Sequence, residues 1–532
     1  MHADLVFAGG PVLAGGRRAG FAAVTGDRIT AVGDDPAPLI GPRTDVVDLG
    51  GRLLLPGFQD AHVHAVGGGI ELGRCDLTGA ATVADCLDAV AAYATAHPRL
   101  EWLTGSGWSL ETFEGGLPHR RLLDAVVPER PVVLVNRDHH GAWLNSAALA
   151  RAGITTSTPD PPDGRIERDA EGATGVLQEG AMDLVTRLLP PVTEADKLAG
   201  LLRAQRLLHS LGITAWQDPL LGDYGGMPDP SSAYATASER GLLTARVTGA
   251  LWWDRGRGAE QLSDLLARRK SLRESGFRAG SVKIMLDGVA ENHTAALLSP
   301  YLCTGHSGLS FVDPVALREH VTLLDAHGFQ VHFHALGDRA VRDALDAVEA
   351  ALTANGRTGN RHHLAHLQVV HPDDVPRFGR LGATATVQPL WAVHEPQMDE
   401  LTIPFLGAER AAWQYPFGAL LRAGATLAAG SDWPVSSPDP LLGIHVAVNR
   451  IPYGEDVPAF LPDQRIGLGA AIAAYTTGSA HVHHLDDTGA IRPGHRADLV
   501  VLDRDPFDGP DHEIGAAKVA MTFTAGRCVH GS

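Results

Sequence analysis

Hydrophobic positions along this chain of 532 residues fall in short runs, and the spacing between runs divides the chain into regions. Near the N-terminus the runs Asp4-Leu-Val-Phe, Gly20-Phe-Ala-Ala-Val, Arg28-Ile-Thr-Ala-Val-Gly and Asp45-Val-Val-Asp-Leu are broken only by turn residues. Such runs predict strands of a small sheet. Ala497-Asp-Leu-Val-Val-Leu and Val519-Ala-Met-Thr-Phe-Thr-Ala-Gly repeat the style near the C-terminus. Residues 1–55 and 487–532 are therefore expected to complete one β-domain.

Between them, apolar runs are followed by amphipathic stretches, the pattern of parallel strands joined by helices. The first strand is expected where Leu53-Leu54-Leu55 leads into Pro56-Gly-Phe-Gln-Asp-Ala-His-Val-His. Strands follow at Ile213 to Gln217, Ala245 to Trp252, Ser281 to Leu286, Gln330 to His334, His363 to Gln368, Thr384 to Gln388 and Thr426 to Gly430. Leu198, Leu201, Leu202, Leu208 and Leu211 mark one intervening helix, and Val341, Leu345, Val348 and Leu352 mark another that stops near Asn355-Gly356. Eight strand–helix units over residues 56–486 predict an α/β fold, a (β/α)8 TIM-like barrel with its site at the carboxyl ends of the strands. Residues from about 67 to 195 are too many for one crossover, so they are expected to form an inserted subdomain beside the barrel mouth.

Candidate chemistry gathers on this map. Residues two apart on a strand share a side, so His62 and His64 would place two imidazoles together, half of a metal site. Lys283 lies within the fourth run, His334 and His366 end the fifth and sixth, and Asp432 follows the eighth. Imidazoles with a carboxylate make a ligand set for one or two divalent cations such as zinc. An ammonium cannot bind a metal. Carboxylated by carbon dioxide, Lys283 would become an anionic oxygen ligand; the competing reading pairs it with Asp287. His332, by strand parity, faces the same side as His334, and His362 and His363 also lie near the ligands.

These residues, in this order, resemble the amidohydrolase superfamily of metal-dependent hydrolases over nearly the whole chain. The flanking text Val282-Lys-Ile-Met-Leu-Asp-Gly, His334-Ala-Leu-Gly-Asp-Arg, Gly430-Ser-Asp-Trp-Pro and Gly494-His-Arg-Ala-Asp-Leu looks like the branch containing N-substituted formamide deformylases, amidohydrolase family 3. The resemblance implies metal ligands at His62, His64, Lys283, His334, His366 and Asp432, with N6-carboxylysine at Lys283. It also implies that the chain ends form a composite β-sandwich. Where the branch often carries Ile-Glu-His, this chain has Leu364-Ala-His, without the acid.

The implied activity is hydrolysis of a non-peptide C–N bond, as in an N-substituted formamide or other N-acyl small molecule, by a metal-bound hydroxide. Asp432 would move the proton to the leaving amine. Hydrolysis of a cyclic amide, imine or ester is the alternative, as is a metal-dependent isomerase on the same fold. For substrate contacts the sequence offers His140 and Trp143 in the insert, Asn292 and His293 after the fourth strand, and Trp433 beside Asp432.

Composition narrows the partners. The chain is 44% hydrophobic and 20% charged, with 62 acidic residues against 44 basic for a net charge of -18. An acidic surface disfavours nucleic acid and anionic membranes, leaving a small-molecule substrate. No apolar run approaches the ~20 residues of a membrane helix, and the chain reads as cytoplasmic. Cys75, Cys86, Cys303 and Cys528 have no zinc-finger spacing. A homodimer is what the resemblance implies.

Overall fold

Parallel strands covered on both faces are buried along their whole length, and the central strands are so even where polar and apolar residues alternate, as in Gln330–Ala335 and Thr384–Val387. Every residue of Ile213–Leu221, Gln330–Ala335, His363–His366 and Thr384–Val387 is buried. In the computed structural model, which describes residues 2–224 and 228–531, these strands belong to one sheet. Its order follows the chain: Phe58–Asp60, Ile213–Leu221, Arg246–Trp252, Arg278–Met285, Gln330–Ala335, His363–His366, Thr384–Val387 and Leu427–Ala429. Each adjacent pair is parallel. The first and eighth strands meet just past their ends, where the Ala61 N–H donates to the Ala429 carbonyl at 2.9 Å. The sheet thus curls into a nearly closed barrel, wrapped by helices such as Glu194–Ser210 and Asp338–Asn355. The first of these is opened by a capping box between Thr193 and Asp196, which satisfies N–H groups that otherwise lack partners. The second buries Val341, Ala344, Leu345 and Val348 toward the strands.

One expectation is corrected. Leu53-Leu54-Leu55 does not enter the barrel; it forms Leu53–Pro56, which pairs antiparallel with Leu499–Leu502. An apolar run states only that it is buried, not in which sheet. Gly57 makes the junction, because a Cβ there would lie 2.4 Å from the Thr214 side chain.

The sheet that takes this strand is built from both chain ends. Its path runs Arg527–His530, Val519–Thr524, Leu499–Leu502, Leu53–Pro56, Leu5–Ala14, Arg17–Thr25 and Arg28–Gly33, with Asp45–Asp48 beside Leu5–Ala14. Phe7 and Phe523 lie three strands apart on this path, yet their ring centroids are 4.9 Å apart, edge to face. The sheet therefore curves over on itself around an apolar filling.

Between the first two barrel strands the chain builds a third sheet, ordered Gly164–Asp169, Gly172–Glu179, Gly141–Leu144, Val132–Asn136, Leu103–Trp108 and Cys75–Asp76. Alternation now applies: Trp143 packs on one face with Trp108 and Phe113, while Ala142 and Leu144 pack on the other with Leu177. Among the described residues, no helix is long and apolar enough to cross a membrane.

Candidate metal centre

Barrel closure sets the site. His62 and His64 are not on a strand, because the first barrel strand ends at Asp60. Their loop is held by backbone bonds instead: Val63 N–H to the Gln217 carbonyl (3.1 Å), His64 N–H to that of Trp433 (2.9 Å) and Asp432 N–H to that of His62 (2.7 Å). Asp60, buried at the end of its strand, accepts from the N–H groups of His62 (2.9 Å) and Ser431 (3.1 Å). It thereby ties the first ligand loop to the last.

The outcome is convergence. One ligand atom from each of His62, His64 and Asp432 lies within 4.8 Å of the others. Asp432 Oδ1 is 3.3 Å from His62 Nε2 and 3.2 Å from His64 Nε2, and Asp432 Oδ2 is 3.7 Å from His366 Nδ1. The His334 and His366 rings are 4.5 Å apart, and His62 and His366 4.9 Å. Lys283, buried on the fourth strand, borders the same small chamber as these residues. Asp432 Oδ1, His334 Nε2 and His366 Nδ1 are all buried without a hydrogen bond. Buried polar atoms without partners carry a penalty, and these three residues line one small chamber, with His334 Nε2 also 3.9 Å from Asp287 Oδ1. His366 and Asp432 also have φ of 79° and 56°, left-handed conformations that non-glycine residues adopt at a cost.

The charges fit a cation. Burial pulls the His62 imidazolium down to about 3, with Lys283 adding to the effect. Burial likewise holds His334 and His366 well below the ordinary histidine range, so their nitrogens carry free lone pairs. Burial works against the Asp432 charge, but His62, His64 and His366 outweigh it and keep the carboxyl well below its usual range. Burial brings the Lys283 ammonium down to about 7. The expected competitor, an ion pair with Asp287, is absent: Asp287 accepts from the backbone N–H groups of Ala296, Leu336 and Gly337 at 2.9, 3.1 and 2.8 Å.

The neighbouring histidines are engaged elsewhere. Gln217 Oε1 lies 3.1 Å from both His332 Nδ1 and His363 Nε2. An amide oxygen can only accept, so both imidazole nitrogens donate to it. His332 Nε2 is then an acceptor for His62 Nδ1–H at 3.0 Å, which leaves His62 Nε2 unprotonated toward Asp432. His362 is paired with Asp325 at 3.1 Å.

A cavity of about 470 Å³ opens above this centre. Of the expected substrate contacts, His140 and Trp433 line it, with Trp391 stacked parallel to His366 at 5.3 Å. Burial alone would lower His140, but Glu179, 3.0 Å from its Nδ1, raises it to about 9. Three expectations are corrected. Trp143 is wholly buried, 5.1 Å from Phe113, because strand alternation turns it into the insert's core. Asn292 donates to Gln178 Oε1 at 3.3 Å, and His293 packs 4.4 Å from Phe405. From that loop it is Val289 and Glu291 that face the cavity. Asp60, Gln217, Glu179 and Glu291 were not singled out from the sequence. Asp60 sits two residues before His62, a weak signal; the others carry none in the sequence.

The profile of an amidohydrolase family matches residues 45–530. Protein LONG AFTER FAR-RED 3 of Arabidopsis thaliana is 32% identical, covering 99% of this chain and 91% of its own. The N-substituted formamide deformylase of Arthrobacter pascens is 27% identical, covering 94% and 93%. A solved structure of an uncharacterized metal-dependent hydrolase from Pyrococcus horikoshii OT3 shares the fold, with a TM-score of 0.73 at 24% identity over 95% of this chain and 99% of that one. The chain belongs to the amidohydrolase family of metal-dependent hydrolases, which act on carbon–nitrogen bonds other than peptide bonds.

Proposed function

We propose that His62, His64, Lys283, His334, His366 and Asp432 hold one or two divalent ions, zinc by the character of the donors, and that the enzyme cleaves an amide bond of an N-substituted formamide or related N-acyl small molecule. The observation that carries this reading is the convergence of His62 and His64 on Asp432 Oδ1 without a hydrogen bond. Bound there, such ions supply a Lewis acid that polarises a carbonyl and makes water acidic enough to react near neutral pH.

The chain's own groups account for the rest. Asp432, its carboxyl held well below the usual range, accepts the proton of the attacking water and delivers it to the departing nitrogen, a poor leaving group until protonated. Lys283, its ammonium brought down to about 7 by burial, spends much of its time as the free amine. That is the form able to add carbon dioxide at its nitrogen and, on releasing a proton to solvent, become the anionic ligand N6-carboxylysine. His140, on the cavity wall and anchored to Glu179, is placed to donate to the substrate carbonyl oxygen. Trp391 and Trp433 close the cavity around the reacting group. The curvature that brings Phe7 onto Phe523 supports reading the terminal sheet as a composite β-sandwich.

Formate release from a panel of N-substituted formamides by zinc-loaded protein tests the substrate class. Release that stops on chelation is the expected result. Hydrolysis of lactams or esters with no formamide turnover would move the activity to those bonds.

A further inference from the structure

Beyond the candidate metal ligands the cavity reaches a wall that carries hydrogen-bond acceptors. The inference drawn from it rests on the hydrolase reading above. Gln368 follows the ligand His366 by two residues and is 1% exposed. Its amide N–H groups donate to Glu291 Oε1 at 3.0 Å and Gln414 Oε1 at 3.5 Å. Gln414 is itself oriented by donating to the Ala411 carbonyl at 3.3 Å. Both neighbours of the Gln368 nitrogen are thus acceptors, which settles which end of the amide is which. Gln368 Oε1 is left buried, without a hydrogen bond, on the cavity wall.

Glu291 stands beside it. Its Oε1 also accepts from the Thr402 hydroxyl at 2.6 Å. Burial pushes its carboxyl up, as expected for a carboxylate with no cation at hand. Arg137, the guanidinium on this wall, is spent on Glu395 (3.4 Å), Glu111 (3.7 Å) and Gln397 (3.1 Å). Tyr415 and Trp391 also line this cavity. A carboxylate placed here would meet like charge, and a purely apolar group would leave Gln368 Oε1 unpaired.

We propose that the substrate is an N-acyl compound whose end remote from the scissile bond carries a protonated nitrogen, an ammonium or amidinium, received by Gln368 Oε1 and Glu291. The cavity then selects at two places: the metal centre takes the acyl carbonyl, and the acceptor wall takes the cation.

Three hydroxamates that differ only at the tail test this without turnover: caproic hydroxamic acid, its ω-amino derivative and the monohydroxamate of adipic acid. Each is titrated calorimetrically into zinc-loaded protein, the hydroxamate serving as the metal anchor. The ammonium ligand is expected to bind at least about 5-fold more tightly than the neutral one, and the carboxylate ligand more weakly than either. Glu291→Gln is expected to shrink the gap between ammonium and carboxylate. The wild-type comparison stands even if that variant does not fold. A neutral hydroxamate that binds as well as the ammonium derivative removes the cation subsite and leaves the hydrolase reading intact. Failure of all three to bind removes the metal centre, and the subsite with it.

Discussion

The backbone N–H of Asp432 donates to the carbonyl of His62 at 2.7 Å, so the loops after the last and first barrel strands are joined through two candidate ligand positions. Closing the barrel thereby brings two candidate ligands together. Gly430 permits the approach, because a Cβ there would lie 2.7 Å from the His62 nitrogen. Gly430→Ala should therefore cost about 1–3 kcal/mol of stability and weaken zinc binding as well. Urea unfolding and competition with a chromophoric chelator measure the two losses. A destabilised variant with unchanged zinc affinity would separate closure from the site.

Asp432 is assigned the proton transfer, and its φ of 56° decides how to test that. Asparagine tolerates the left-handed region better than alanine does, so Asp432→Asn removes the proton acceptor with less backbone strain. Turnover should fall by about 100- to 10,000-fold while the unfolding midpoint moves little. Near-normal turnover would end this role for Asp432.

Two tryptophans should behave differently. Trp143 is sealed in the insert with Phe113 and Trp108, whereas Trp391 lies on the cavity against His366. Trp143→Ala should lose about 3–5 kcal/mol of stability with KM little changed in the folded fraction. Trp391→Ala should raise KM at a smaller cost in stability. The reverse pattern, read from denaturation curves and steady-state kinetics, would show that the insert's core is misassigned.

Asp325, at the base of the barrel, gives a pH signature independent of the metal. Burial acts to raise its carboxyl, but bonds from His362, Thr358, Asn360 and Asn355 outweigh it and hold it well below the ordinary range. A carboxyl depressed in the folded state stabilises above its unfolded value near ~3.9, and that stability drains away as pH falls toward the folded value. Wild type should exceed Asp325→Asn by about 2 kcal/mol at pH 7, narrowing by roughly half near pH 3. Denaturant titration at the two pH values checks this; a gap that does not change with pH contradicts it.

The barrel was legible in the sequence because short runs rich in apolar residues recur between amphipathic stretches, and the histidines set within or at the end of those runs, as in Gln330–Ala335 and His363–His366, stand out. His334 and His366 are visible for that reason. The same logic misread Leu53-Leu54-Leu55, whose burial is real but belongs to the terminal sheet. The insert's six strands were largely invisible because several are short and glycine-bearing, and they pair across long separations. Trp143 misled because an aromatic beside His140 has the same local text whether it faces a cavity or a core. Glu291, Gln368 and Glu179 acquire meaning only from partners distant in sequence: Thr402 for the first, Gln414 for the second and His140 for the third.

His62, His64, Lys283, His334, His366 and Asp432 are proposed to form a metal centre. Elemental analysis of protein reconstituted with zinc and bicarbonate, compared with His366→Ala and Lys283→Ala prepared identically, tests it most directly. The account expects about one to two zinc ions per wild-type chain, fewer in both variants, and loss of hydrolysis when the wild type is stripped by a chelator. Wild-type protein that takes up no zinc, or His366→Ala and Lys283→Ala that hold as much as the wild type, would contradict it.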